Sequence, residues 1–198
     1  MTRAGVYVIG LVFYNGLMVL QDAHLEVRPM LEMKPKDWAL FYRYFRDKEI
    51  ALLNGANPIF MPLWLFKNIV LGEEKSGERI GLAIYFDQVF IGSVEFYDIV
   101  QQPKSAVLGI LIGEKRLWGL GLGTRALHLA LQFIFAKDFG RITLETLEDN
   151  QRARSSFEKN GFVFLGTSNA GRHRFAKYEL TKNAWLERQN KISPQIEG

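Results

Sequence analysis

Apolar residues recur along the chain in two periods, and the change from one to the other marks its elements. In PKDWALFYRYFRDK (35–48), Trp38, Phe41, Tyr42 and Phe45 fall at helical spacing, which predicts an amphipathic helix. PLWLFKNIVLGEE (62–74) predicts a second, with proline in its first turn. LHLALQFIFAK (127–137), with Arg125, His128 and Gln132 as its polar stripe, predicts a helix buried on most of its girth. DNQRARSSFEKNGF (149–162) reads as a shorter helix, with Asn150 as N-cap and Gly161 as the left-handed stop. Strand patterns cover 24–30, 76–86 after a loop, 89–100, 105–113, 141–147, 162–168 and 173–181. Residues 54–58 read as a loop and 182–198 as a fraying tail.

The resulting order is a strand, two helices, three strands, a helix, a strand, a helix and two strands. It describes an α/β (α+β) fold on a mixed, mostly antiparallel sheet, with one parallel crossover between about 105 and 147. Residues 6–20, VYVIGLVFYNGLMVL, are apolar but shorter than the roughly 20 residues a membrane span needs. Asn15-Gly16 in their middle is the strongest short hairpin signal, so 1–22 are expected to form an N-terminal β-hairpin. The core domain then runs over 23–181. With no small-residue cleavage site after the apolar run, a cytoplasmic protein without membrane contact is expected.

Composition narrows the chemistry. The chain has 198 residues, 48% of them hydrophobic, which suits one compact domain. There is no cysteine, which removes disulfides, thiolate nucleophiles and cysteine zinc sites. His24, His128 and His173 are far apart, so no metal is expected. The net charge of +4 is spread along the chain and not gathered in runs, so nucleic acid is not an expected partner.

Three glycines, Gly119, Gly121 and Gly123, lie between the strand SAVLGILIG (105–113) and the buried helix. A helix N-terminus presents unpaired N–H groups and a partial positive charge, and glycine lets the backbone approach a ligand closely. A plain turn needs fewer glycines, each of which costs conformational entropy, so a phosphate cradle is expected here, with the Thr124 hydroxyl in its first turn. The lysine of a P-loop is missing. Gly121-x-Gly123-x-x-Ala126, with Glu145 further on, also matches a dinucleotide fingerprint, and a nucleotide-dependent oxidoreductase stands as an alternative. Against it, too little chain follows the next strand to complete a doubly wound sheet.

The stretch WGLGLGTRAL (118–127) resembles the pyrophosphate loop, Q/R-x-x-G-x-G/A, of the GNAT N-acyltransferases. Aligned on the helix start, Trp118 takes the Q/R position and Gly121 and Gly123 the glycines. A register beginning at Arg116 matches the letters but lies two residues early. NQRARSSFEKNGF (150–162) resembles the family's N-x-x-A-x-x-x-Y-x-K-x-G-F helix, and a tryptophan before the first glycine resembles the branch of ribosomal-protein and polyamine acetyltransferases.

The resemblance implies the GNAT fold, its sheet splayed around a cleft for acetyl-CoA as cosubstrate. It implies a pantetheine arm along Ile110, Leu111 and Ile112, and a pyrophosphate on the amides of Gly119, Leu120, Gly121, Leu122, Gly123 and Thr124 beside Trp118. It sets Asn150, Ala153 and Phe157 on the opposite wall. The implied reaction is acetyl transfer to a primary amine, such as a protein N-terminus, a polyamine or an amino sugar. The resemblance and the apolar N-terminus also point to a homodimer.

Two positions depart from the family pattern. Phe157 stands where a tyrosine often protonates the thiolate, and Val107 where a glutamate often serves as base. A CoA-binding module without catalysis is therefore a second alternative. Glu95 and Tyr97, on one face of their strand, and Glu145, beside the gap, are the substitute acid and base candidates. Helical geometry is expected to turn Ser155 and Ser156 away from the site.

Overall fold

The structure, a computed structural model, describes residues 9–14, 17–22 and 24–192. Nine strands form one sheet. In chain order they are β1 (Ile9–Tyr14), β2 (Leu17–Asp22), β3 (Leu25–Pro29), β4 (Ile80–Phe86), β5 (Val89–Gln101), β6 (Lys104–Ile112), β7 (Arg141–Leu147), β8 (Val163–Ala170) and β9 (His173–Thr181). The helices are α1 (Pro35–Arg46), α2 (Lys48–Leu53), α3 (Leu63–Ser76), α4 (Leu122–Ala136), α5 (Gln151–Lys159) and α6 (Lys182–Ile192). The sheet order is β1-β2-β3-β4-β5-β6-β7-β9-β8. Every pairing is antiparallel except β6 with β7.

The expected N-terminal strands are present and antiparallel, with Tyr14 opposite Leu17; the Asn15-Gly16 turn lies outside the described residues. Because β2 continues into β3, the hairpin extends the main sheet. Arg125 of α4 fastens it, its Nε donating to the buried Asp22 carboxylate at 2.5 Å.

Alternation splits each strand between two cores. Val94 and Phe96 of β5 and Ile142 and Leu144 of β7 face α4, whose Leu127, Leu131 and Ile134 are fully buried. Each such leucine or isoleucine contributes about 1.5–3 kcal/mol by leaving water. On the other face, Ala83, Tyr85, Phe90 and Leu111 pack under α1 and α3, where Phe41 meets Phe66 and Phe90 edge-on or tilted.

Two elements differ from expectation. The helix expected to run to 48 ends at Arg46, because the Asp47 carboxylate accepts from the N–H groups of Glu49 and Ile50 and so caps a separate helix, α2. The expected C-terminal tail begins as α6: Trp185 is 3% exposed, packed on His128 and Phe135, and this anchor orders Lys182–Ile192. Among the described residues a single parallel pair stands in an otherwise antiparallel sheet, unlike the doubly wound sheet that an oxidoreductase reading needs.

Candidate active site

β6 and β7 pair only over Ser105–Val107 with Arg141–Thr143. Beyond Val107 the two strands part, and a wedge opens along the rest of β6. The Gly113 N–H donates toward β5, to Ile91 O at 2.8 Å. Backbone groups alternate sides along a strand, so Ile110 and Ile112 turn theirs into the wedge. The Ile112 carbonyl there accepts from Trp118 Nε1 at 2.7 Å.

At the mouth of the wedge the chain enters α4 through glycines. Gly121, the N-cap, has φ 77°, a left-handed conformation that favours glycine. The first helical bond runs from Arg125 N–H to Gly121 O, so the N–H groups of Leu122, Gly123 and Thr124 precede the ladder, and a glycine cap offers no side chain to satisfy them. A β-carbon added to Gly119 or Gly121 would meet nothing within 4 Å, so the loop faces open space.

An open-sided cavity of ≈ 240 Å³ fills this corner. Its β6 wall is Ile110, Leu111 and Ile112, and its mouth is Trp118, Gly119, Gly121, Leu122, Gly123 and Thr124. Asn150, Ala153 and Phe157 form the far wall. Of the cofactor residues expected from sequence, Leu120 alone is not in the lining; its side chain is 63% exposed.

Asn150 caps α5 by accepting from Ala153 N–H at 3.2 Å. Phe157 is buried against Phe162 and Tyr178, an apolar wall with no proton to give. Ser155 and Ser156, expected to point away, line the cavity; α5 rolls against α4 until Ser156 Oγ and Thr124 Oγ1 are 3.0 Å apart. Ile50, Leu53 and Asn54 of the α2 region and Arg152 and Lys159 of α5 also line it and were not expected. The one local mark of α2 is Asp47 as an N-cap residue, which reads equally as a position within a longer helix; the others depend on helix packing.

The candidate acid and bases lie outside this cavity, on the sheet face that carries α1 and α3. Strand alternation puts Glu95 and Tyr97 of β5 and Glu145 of β7 on that face, opposite to Val94, Phe96 and Leu144. Between them on β6 stands Gly109, whose missing side chain leaves room for the Tyr97 ring. Burial, then the charges of Asp98 and Glu95, raises the Tyr97 hydroxyl above its usual range, and Glu145 adds to the effect. Glu95 is 7% exposed and both its carboxylate oxygens are engaged, one by Arg79 and the other by Ser93 Oγ at 2.9 Å. Glu145 is about half exposed and accepts from Lys177 Nζ at 2.9 Å.

Among the described residues no cluster of side chains is suited to a metal, and no helix is long and apolar enough to cross a membrane.

A mixed sheet opened at its one parallel pair, with an uncapped glycine loop at the mouth, defines a class of fold that receives an extended ligand edge-on. The comparisons agree. The family model of the acetyltransferase (GNAT) domain matches residues 24–163, and the chain belongs to the GNAT family, which makes it an N-acetyltransferase with acetyl-CoA as cosubstrate. Among solved structures, spermidine N-acetyltransferase from Vibrio cholerae, in complex with CoA and spermine, superposes with a TM-score of 0.73 at 17% identity, covering 83% of this chain and 99% of that one. The ribosomal L7/L12 alpha-N-protein acetyltransferase RimL, in complex with coenzyme A, gives 0.71 at 16% identity, covering 82% and 96%. The aminoglycoside acetyltransferase AAC(6')-Ib, in complex with coenzyme A, gives 0.67 at 19%, covering 83% and 99%. At these low identities the superpositions show a shared fold alone. No curated protein matches by sequence.

The residues fit the cosubstrate. Extended apolar walls suit a pantetheine arm, outward-facing β6 amides suit its peptide groups, and three unladdered N–H groups at a helix start suit a diphosphate.

Proposed function

We propose that the chain transfers the acetyl group of acetyl-CoA to a primary amine by direct attack on the thioester, with Tyr97 as the proton donor. The observation that supports this is the coincidence of two features at the apex of the wedge. The cavity that starts at the glycine loop runs along β6 toward the point where β7 parts from it, and Gly109, with Tyr97 across it, lies there. The bound thioester supplies an activated carbonyl. Main-chain amides of β6 hold it and polarise its oxygen. Asn150, its Oδ1 spent on the cap, offers its amide nitrogen from the other wall.

Proton traffic then divides by environment. The acceptor nitrogen, freed of one proton, forms the new C–N bond as the C–S bond breaks; it sheds its second proton to water as the amide forms, and the thiolate takes one from Tyr97, which water then reprotonates. Tyr97 keeps its proton well above neutral pH and gives it to the thiolate. Glu145, more exposed, takes a proton from the ammonium, directly or through water. Glu95, each of its carboxylate oxygens engaged by one donor, positions Arg79 and shapes the charge beside Tyr97. Much of the rate comes from holding amine and thioester together.

The acceptor enters from the α1/α3 face. A second depression shares Leu53 and Asn150 with the first cavity and extends to the β8–β9 turn at Arg172 and His173. We take the acceptor to be a protein N-terminus, a polyamine, an amino sugar or another small amine, and the protein to be cytoplasmic. Homodimerisation, in this reading, uses an outer strand of the sheet, β1 or β8.

Free-thiol release from acetyl-CoA by the purified protein, across a panel of those amines, tests the reading. Turnover with at least one primary amine is expected. Tight acetyl-CoA binding with no release for any amine would leave a binding module, the reading that Val107 and Phe157 favour.

A further inference from the structure

The glycine loop lacks a cation. From Leu117 to Thr124 there is no lysine or arginine, and Trp118 occupies the position where the pyrophosphate motif has glutamine or arginine. Acetyl-CoA carries at least two negative charges on its diphosphate and more on its 3′-phosphate. A helix N-terminus answers these with about half a charge. The remainder calls for a side chain.

Trp118 is held in place at the cavity wall. Its Nε1–H donates to Ile112 O at 2.7 Å, so the ring closes the end of β6. On that ring lies Arg152, from the first turn of α5, with its guanidinium carbon 3.9 Å from the ring centroid. Arg152 is the one arginine in the cavity lining, and it makes no ion pair among the described residues. The other cations near Trp118 are committed elsewhere. Lys115, 6.0 Å from the ring centroid, reaches Asp47 at 2.8 Å and Glu49 at 2.7 Å. Arg116, 84% exposed, reaches Glu114 at 2.9 Å.

We propose that Arg152 is the phosphate-binding arginine of this site, reaching across from α5 to stand where the glycine motif's own arginine or glutamine is missing. The tryptophan is part of the device. Its face orients the guanidinium and leaves the planar edge, with its paired donors, turned outward for phosphate oxygens. This inference rests on the acetyl-CoA reading above and adds the residue that meets the ligand's charge.

The test compares two ligands by titration calorimetry: acetyl-CoA, and acetyl-pantetheine, which carries no phosphate. For Arg152→Ala, acetyl-CoA affinity is expected to fall about tenfold or more, as for loss of a charge-assisted hydrogen bond, while acetyl-pantetheine affinity stays unchanged. Arg152→Lys should recover part of the loss, and raising the salt concentration should shrink the difference. Dephospho-acetyl-CoA shows which phosphate is met: a loss that persists with it assigns the diphosphate, and a loss that vanishes assigns the 3′-phosphate. Unchanged acetyl-CoA affinity in Arg152→Ala would overturn the proposal. So would an equal loss for both main ligands, which would make Arg152 only a wall for Trp118, or a loss in Arg116→Ala with none in Arg152→Ala, which would restore the earlier register. If the wild-type chain fails to bind acetyl-CoA, the enzyme reading falls first and this inference with it; any of the other outcomes leaves the enzyme reading standing.

Discussion

The ring of Tyr97 lies across the bare backbone of Gly109, its Cε1 3.4 Å from where a β-carbon would be. Gly109 sits just past Val107, the last residue of β6 that pairs with β7. This contact sets the Tyr97 ring on the backbone of β6 close to where the two strands part. If Tyr97 delivers the proton to the thiolate, Tyr97→Phe should lower kcat about 10²-fold or more, with KM for acetyl-CoA little changed. Steady-state kinetics with the best amine decides it; an unchanged kcat removes Tyr97 from the reaction.

The same tyrosine shapes the pH profile. Its hydroxyl ionises above its usual value of 10.0, chiefly through burial. The acid is thus protonated throughout the neutral range, and the rate should not decline between pH 7 and 9 through loss of this proton. It should rise there as the amine is freed from its ammonium form. A fall beginning near pH 8 would point to another acid.

Glu74 gives a prediction about stability. Its carboxyl sits over Gly81, and burial outweighs that amide's hydrogen bond and raises its pKa to about 7, with Glu95 adding repulsion and Arg79 opposing it. In the unfolded chain it titrates near 4.5. Between these values the folded form holds a proton that the unfolded form has lost. Stability from this group is therefore full below about pH 4.5 and is lost as pH rises through about 7. Glu74→Gln should remove that slope and raise stability at pH 8 by about 2 kcal/mol, after allowance for partial exposure. Melting curves at pH 5 and pH 8 for both proteins measure it; parallel pH dependences would contradict it.

Gly121→Val tests the cradle. Its φ of 77° is strained for a β-branched residue, at about 1–3 kcal/mol, or several degrees in melting temperature. The loss of acetyl-CoA affinity should exceed what that destabilisation explains, because the side chain also blocks the approach to the loop. A variant that melts early but binds normally would detach the loop from the ligand.

Trp185→Ala should destabilise the fold by about 3–5 kcal/mol, since Trp185 is 3% exposed between His128 and Phe135. An unchanged melting temperature would return α6 to the status of a tail.

How far the sequence disclosed this protein follows from the range of each signal. The strands, α4 and the glycine loop were legible because period, turn residues and caps are local. α2 was hidden because Asp47 reads equally well as an ordinary exposed position of one long helix and as the cap of a new one. α6 was hidden because the apolar residues of Lys182–Ile192, Ala184, Trp185, Leu186 and Ile192, trace no clear stripe, and the rings that bury Trp185 come from α4, distant in the chain. The orientation of Ser155 and Ser156 depends on how α5 rolls on α4, which no spacing encodes. The surroundings of Glu95, Tyr97 and Glu145 turned on partners distant in sequence: Arg79 and Ser93 engage the first, the ring of the second packs on Gly109, and the third remains half in solvent.

Amide hydrogen exchange with and without saturating acetyl-CoA addresses the central claim most directly. The account predicts new protection at the backbone of Ile110 and Ile112 and across 119–124, with little change in β1 to β4. Saturable binding of acetyl-CoA that leaves those amides exchanging as before would contradict it.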